Sequence, residues 1–149
     1  PHVHRRQGLI PGSVLATALL TACGGSAVSV TPADGHADPL CAKVADLWPD
    51  KVAGQERRSV STKGGTEAAW GDPAIIARCG VTSPGADENC VEANGIDWIY
   101  SELSDGASFV TFGRTPAIQV LVPKNYAGDA IGAFGKAAAV VPQGSHRCS

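Results

Sequence analysis

The stretch FVTFGRTPAIQVLVP, residues 109–123, decides the fold. Two apolar runs, 109–114 and 117–122, stand on either side of Thr115-Pro116. That break is too short for a parallel crossover, which needs about a dozen residues, so the runs are expected as antiparallel neighbours. Within the second run Ile118, Val120 and Val122 share one face of an extended chain and Gln119 takes the other. This period of two marks a strand buried on one side. Pro123, with no N–H to give, is expected to stop the ladder.

Working outward, two more runs read as strands. Residues 96–103 (IDWIYSEL) are separated from the first run by Ser104-Asp105-Gly106. Residues 74–81 (AIIARCGV) sit between Gly71-Asp72-Pro73 and Ser83-Pro84-Gly85. β-branched runs bounded by turn residues predict an antiparallel meander of about four strands. Two helices flank it. Asp38 can cap backbone N–H groups, Pro39 suits a first helical turn, and Leu40, Val44, Leu47 and Trp48 recur at helical spacing until Pro49. Over residues 129–141, Ile131, Phe134, Ala138 and Val141 recur in the same way. The expected fold is α+β, with one N-terminal and one C-terminal helix packed on a face of the antiparallel sheet. Residues 50–68, with Arg57-Arg58 and Lys63-Gly64-Gly65, hold few large apolar groups and read as an exposed loop with a short strand near Val60. Strand and helix do not alternate as a dinucleotide fold requires.

At 149 residues, 44% hydrophobic and 17% charged, the chain suits one domain with one core. Eighteen glycines and ten prolines stay below the roughly 25% of the chain that marks low complexity. The net charge is -2, and no run of basic residues offers a phosphate-binding surface, which argues against a nucleic-acid partner.

The first 22 residues differ from the rest. Arg5-Arg6 is followed by LIPGSVLATALLTA, residues 9–22, uncharged and ending in small side chains. A basic start, a short apolar centre and a small-residue exit are the three parts of a secretory signal. The apolar run is shorter than the about 20 residues of a bilayer span. Leu20-Thr21-Ala22-Cys23 resembles a bacterial lipobox, which implies that Cys23 carries diacylglyceryl and palmitate-like chains and becomes the new N-terminus. Two acyl chains exceed the single chain that gives only marginal membrane binding. Cleavage after residue 22 leaves ten basic and fourteen acidic residues and a charge of -4, so lipid rather than charge would hold the protein to a membrane. Residues 23–37, small and polar, read as a flexible tether, and residues 38–149 as the single α+β domain.

With Cys23 given to lipid, Cys41, Cys79, Cys90 and Cys148 form an even set, which in an exported chain suggests two disulfides. Four cysteines allow three pairings. The pairing favoured joins Cys79 to Cys90 across the polar SPGADEN loop and Cys41 to Cys148. The rival, a metal site using His146 with Cys148, Cys79 and Cys90, lacks the closely spaced cysteine pairs of structural zinc sites. No cofactor or metal is expected.

No nucleophile elbow, phosphate loop or paired-histidine motif occurs. Beyond the leader only His36 and His146 remain, so histidine-dependent nucleophilic catalysis has little to work with. Asp97 with Glu102 or Glu92 could serve glycoside hydrolysis as a carboxylate pair, although surface charge is the favoured reading. Trp70, ahead of the Gly71-Asp72-Pro73 turn, is expected to pack in the core or cover the turn; the alternative is a place at a pocket rim, stacking on a ligand with Asp72 beside it. Trp48 and Trp98 fit the core faces of a helix and a strand. Arg78 and Arg114, in apolar runs, are expected to face solvent or to pair with a carboxylate such as Asp97, with anion binding as the alternative.

The lipobox, Cys41 on an early helix, WGDPAIIARCGV, GIDWIY, FVTFGRTPAIQVLVP and the closing Cys148 together resemble an actinobacterial family of small secreted lipoproteins of unknown function. That resemblance implies export, an envelope location and paired cysteines, and supplies no activity. The sequence therefore points to a lipid-anchored domain on the extracytoplasmic face of the cell membrane, noncatalytic, with an envelope protein or a small ligand as its partner. A small cell-envelope hydrolase using acidic residues is the alternative.

Overall fold

A computed structural model describes Gly12 and residues 26–126 and 130–149. The leader expected over residues 1–22, Gly12 excepted, and the lipidation expected at Cys23 lie outside the described residues.

The protein is mostly β. Eight antiparallel strands form one sheet in the order β2-β3-β5-β6-β10-β9-β8-β7. These are β2 (Lys51–Val52), β3 (Gln55–Arg58), β5 (Ala68–Trp70), β6 (Ile75–Val81), β7 (Cys90–Ala93), β8 (Ile96–Leu103), β9 (Gly106–Thr111) and β10 (Ala117–Pro123). Two further strands, β1 (Val28–Ser29) and β4 (Val60–Ser61), pair in parallel as a separate ribbon. Helix α1 (Pro39–Ala45), a 3-10 turn (Ile131–Phe134) and α2 (Gly135–Ala139) complete the described elements.

The 109–123 stretch behaves largely as its pattern requires. Ile118, Val120 and Val122 are buried while Gln119 is half-buried on the other face. β10 pairs with β9 on one side and β6 on the other. Pro123 does not precede the end of the ladder; it sits opposite Gly106 as the last pair. An end position tolerates a residue without an N–H donor. The preceding strand runs over Gly106–Thr111 rather than 109–114, because Gly113 takes a positive φ of 76° and turns the chain.

The expectation of four strands undercounts the sheet by half. The short strand expected near Val60 is present as β4, but the rest of residues 50–68 is not a loop throughout: β2 and β3 occupy part of it, with Ala53-Gly54 making a tight hairpin at positive φ. Polar side chains suit these strands because they lie at or near an edge, with Lys51 and Glu56 paired at 2.9 Å. β7 was hidden by its half-exposed CVEA sequence, and Asn94-Gly95 turns it into β8. Positive φ at both central residues is what an Asn-Gly hairpin supplies.

One face of the sheet carries the core. Ile75, Ala77, Cys79, Trp98, Ile118 and Val120 face α1, the 3-10 turn and α2. α1 starts as its sequence implies: Asp38 Oδ1 accepts from the Leu40 N–H at 2.9 Å and Pro39 opens the first turn. It ends at Ala45, so Leu47 falls outside the helix and is 47% exposed. The helix expected over 129–141 is shorter and partly 3-10, yet Ile131, Phe134, Ala138 and Val141 all reach the core. Phe134 packs edge-on to Trp48 (5.9 Å) and Trp70 (5.3 Å), the aromatic centre of the core.

The two disulfides join Cys41 to Cys79 and Cys90 to Cys148. The favoured pairing is therefore corrected. Cys79 points from the core face of β6 to α1, while Cys90, on the edge strand, meets the C-terminal segment. Cα separations of 5.4 and 5.5 Å suit both bonds. By loop length each restricts the unfolded chain by about 4 kcal/mol. With Cys79 and Cys90 in different disulfides, the rival metal grouping is not assembled. Among the described residues no group of three His, Cys, Asp or Glu could hold a metal ion.

The tether expected over 23–37 is also corrected. From Val28 onward the chain lies on the domain: Val28 and Val30 donate to the Ser59 and Ser61 carbonyls, and Val30 and Ala33 are buried. Three consecutive residues of β6 fasten it. Arg78 Nη1 donates to the Thr31 carbonyl at 3.1 Å, Cys79 bonds Cys41, and Gly80 accepts from the Gly35 N–H at 2.9 Å. Gly80 is the extra residue of a bulge: Ala117 lies opposite Val81 while Ile118 lies opposite Cys79. Its φ of 104° suits glycine, and a bulge aims the local backbone away from the ladder.

Candidate functional site

The residues singled out from sequence turn out to be structural ties. Trp70 is not at a rim. It is fully buried, its Nε1 donates to the Pro49 carbonyl at 2.8 Å, and the Arg57 guanidinium covers its ring at 5.4 Å. Asp72 is exposed, with Arg58 3.9 Å away. Arg58 does more: it donates to the carbonyls of Gly71 and Ser26, tying the β5–β6 turn to the N-terminal segment. Trp70 and Asp72 therefore build no pocket together.

Arg78 lies on the sheet face opposite the helices. Its Nε donates to Gln119 Oε1 at 2.7 Å, and Gln119 Nε2 donates onward to Ser108 Oγ at 3.0 Å. This polar row crosses three strands. Arg78 also lines a cleft of about 290 Å³ with Thr31, Asp34 and Thr82. Arg114 is 7% exposed, and its Nη1 donates to the Val141 carbonyl and, at 3.4 Å, to that of Ala138. A buried cation on the last carbonyls closes a helix C-terminus favourably. Burial lowers the Arg114 pKa from its usual value, Arg147 adds to the fall and Asp97 opposes it. Arg78 and Arg114 thus spend these donors on backbone and amide oxygens rather than on an anion.

The carboxylates are dispersed in the same way. Glu92 and Asp97 are partners across β7 and β8. Glu92 Oε1 accepts from the Gly95 N–H, and Asp97 Oδ2 accepts from the Cys148 N–H at 2.9 Å. Each carboxylate holds a turn or the C-terminal segment. A larger cleft of about 470 Å³ has Asp34, Asp38, Thr82 and Thr115 in its wall, beside the Gly35–Gly80 crossing. It has no aromatic side chain.

A third cleft, of about 340 Å³, has the chemistry of a ligand site. It opens on the helical face of the sheet, at the end where β8, β9 and β10 run on past the helices. Tyr100, Phe109 and Tyr126 line it with their aromatic rings beside Val122 and Pro123, and among the described residues Lys124 and Glu102 are its charged groups. Tyr100 lies directly opposite Phe109 across the β8–β9 ladder, the rings 5.5 Å apart and inclined at 52°. Ligand sites combine apolar and aromatic walls with a few polar groups, and this cleft fits that pattern best.

Of these residues sequence reasoning singled out Glu102 alone, as one of a carboxylate pair. Tyr100 follows Ile96 and Trp98 at a spacing of two and reads as more of the same buried face. What leaves it half-buried is the limited reach of the helices, which strand periodicity does not report. The turn after β10, with Lys124 and Tyr126, was the available signal, since polar and aromatic residues at a strand end often line a site.

The model of one family, described as "Protein of unknown function (DUF3515)", matches residues 10–145. No curated protein and no solved structure matches the chain.

Proposed function

Because the chain belongs to the DUF3515 family of proteins of unknown function, we propose a role from its own residues: a noncatalytic binding module, held by a lipid on Cys23 at the extracytoplasmic face of the cell membrane. The observation that carries the binding role is the aromatic-walled cleft, whose wall among the described residues has a single carboxylate, no histidine and no cysteine. Two disulfides support an oxidising compartment. The lipobox-like LTAC supports the anchor, the signal peptide before it and secretion to the envelope. The resemblance to actinobacterial lipoproteins supports the same location.

Val28 is already paired, only five residues after Cys23. At most about 3.5 Å per residue, the domain would stand within about 20 Å of the lipid surface. Metabolic labelling with a palmitate analogue tests the anchor: label is expected on the wild type and lost in Cys23→Ser. Retention of label in that variant would sink it.

A small envelope hydrolase is the second reading, favoured by Asp34 and Asp38 lining one cleft. Asp38 is already committed as the α1 cap. Turnover of a chromogenic glycoside that disappears in Asp34→Asn would establish this reading in place of the first.

A further inference from the structure

We propose that the cleft walled by Tyr100, Phe109 and Tyr126 binds a neutral saccharide, one sugar ring stacking on the aromatic floor while Lys124 and Glu102 hydrogen-bond its hydroxyls. This rests on the reading of the domain as a binding module and names the ligand class.

Four observations lead there. The Tyr100 and Phe109 rings touch, with centroids 5.5 Å apart and planes inclined at 52°. Rings in contact make a continuous bent floor and leave no gap for an ammonium between them, which an aromatic cage for a cation needs. A sugar ring has an apolar C–H face that lies on such a floor. Among the described residues the charged groups of the cleft are one ammonium and one carboxylate. Together they offer donors and acceptors with no net charge, which suits a polyhydroxylated neutral ligand better than an anion or a cation. The two tyrosine hydroxyls add groups that both donate and accept.

Size is the third observation. The volume of about 340 Å³ is at the lower end of the roughly 300–1,000 Å³ of small-ligand sites. One or two sugar rings suit it, whereas a proline-rich segment docks along a longer aromatic groove. Last, among the described residues Glu102 is the only carboxylate in the wall. Glycosidases of the usual kind need two carboxyl groups flanking the bond, so the site holds a sugar without cleaving it.

Saturation-transfer NMR on the full chain tests this with cellobiose, maltose and N,N′-diacetylchitobiose, and a proline-rich decapeptide as competitor. Transfer to the ring C–H protons of at least one disaccharide is expected. Tyr126→Ala should weaken its Kd about tenfold, a change of about 1.4 kcal/mol. Lys124→Ala, at an exposed position whose loss leaves the core intact, should weaken it about threefold. No transfer from any of the three at about 10 mM, or transfer unchanged in both variants, overturns the proposal. Tighter binding of the decapeptide at these residues also overturns it while leaving the binding module standing. Labelling at Cys23 is independent of every one of these outcomes.

Discussion

Gly35 and Gly80 cross with their backbones in contact. The Gly35 N–H donates to the Gly80 carbonyl at 2.9 Å, and a Cβ on Gly35 would lie 2.7 Å from that oxygen. Neither partner can yield, because both are backbone. Gly80 also holds a φ of 104°. Gly80→Ala is expected to cost about 2–4 kcal/mol, combining backbone strain with overpacking. Urea denaturation followed by circular dichroism measures it; a loss under about 0.5 kcal/mol, the range of ordinary surface changes, would mean that the crossing does not form.

The disulfide pairing makes a mass prediction. Proteolysis without reductant should release one linked peptide containing Cys41 and Cys79 and another containing Cys90 and Cys148. Reduction should add four hydrogens to the intact mass. The double variant Cys41→Ala/Cys79→Ala should lose about 2–5 kcal/mol. A linked peptide containing Cys79 and Cys90 would contradict the topology.

Arg114 closes α2 and the segment after it from inside the core. Arg114→Ala leaves the Ala138 and Val141 carbonyls without their charged donor, for a loss of about 1.5–3 kcal/mol. Arg114→Lys should recover only part of it, since a point charge replaces a planar fork. Thermal melts of the three proteins order them wild type, then lysine, then alanine.

All three tryptophans are buried, Trp48 at 5% exposure and Trp70 and Trp98 at none. Acrylamide should quench native fluorescence several-fold less than fluorescence in denaturant. Saccharide should leave the quenching unchanged, because no tryptophan lines the cleft. A tryptophan standing at a rim would give the opposite result.

How much of this was legible in the sequence depended on what buries each segment. Residues 75–81, 96–103 and 117–123 alternate because one face meets the helices, so their pattern carries the strands. β2 and β3 lie at an edge, where polar side chains are tolerated, and β5, AAW, is buried throughout; neither alternates. Asn94-Gly95 was a readable hairpin signal that went unused. The cysteine pairing was not readable, since it follows from α1 packing over β6 and the C-terminal segment crossing β7. Core packing was the favoured reading of Trp70, but its partner was not readable: Phe134, more than sixty positions later, packs on its ring. The cleft as a whole was not readable for the same reason, although the turn with Lys124 and Tyr126 hinted at it: its wall joins residues of β8, β9 and β10 that only the folded sheet brings together.

The fastening of residues 31–41 to β6 also decides how the protein bears a load. A pull on the N-terminal segment would meet in turn the Arg58 bond to the Ser26 carbonyl, the short β1–β4 ribbon, the Arg78 bond to the Thr31 carbonyl and the Gly35–Gly80 crossing, all held by hydrogen bonds and free to peel in sequence. Peeling stops at Cys41, where the Cys79 bond passes the force directly into the middle of the sheet. The segment before Cys41 can therefore lengthen under tension as a shock absorber. The strands and helices beyond it, the aromatic cleft included, keep their shape.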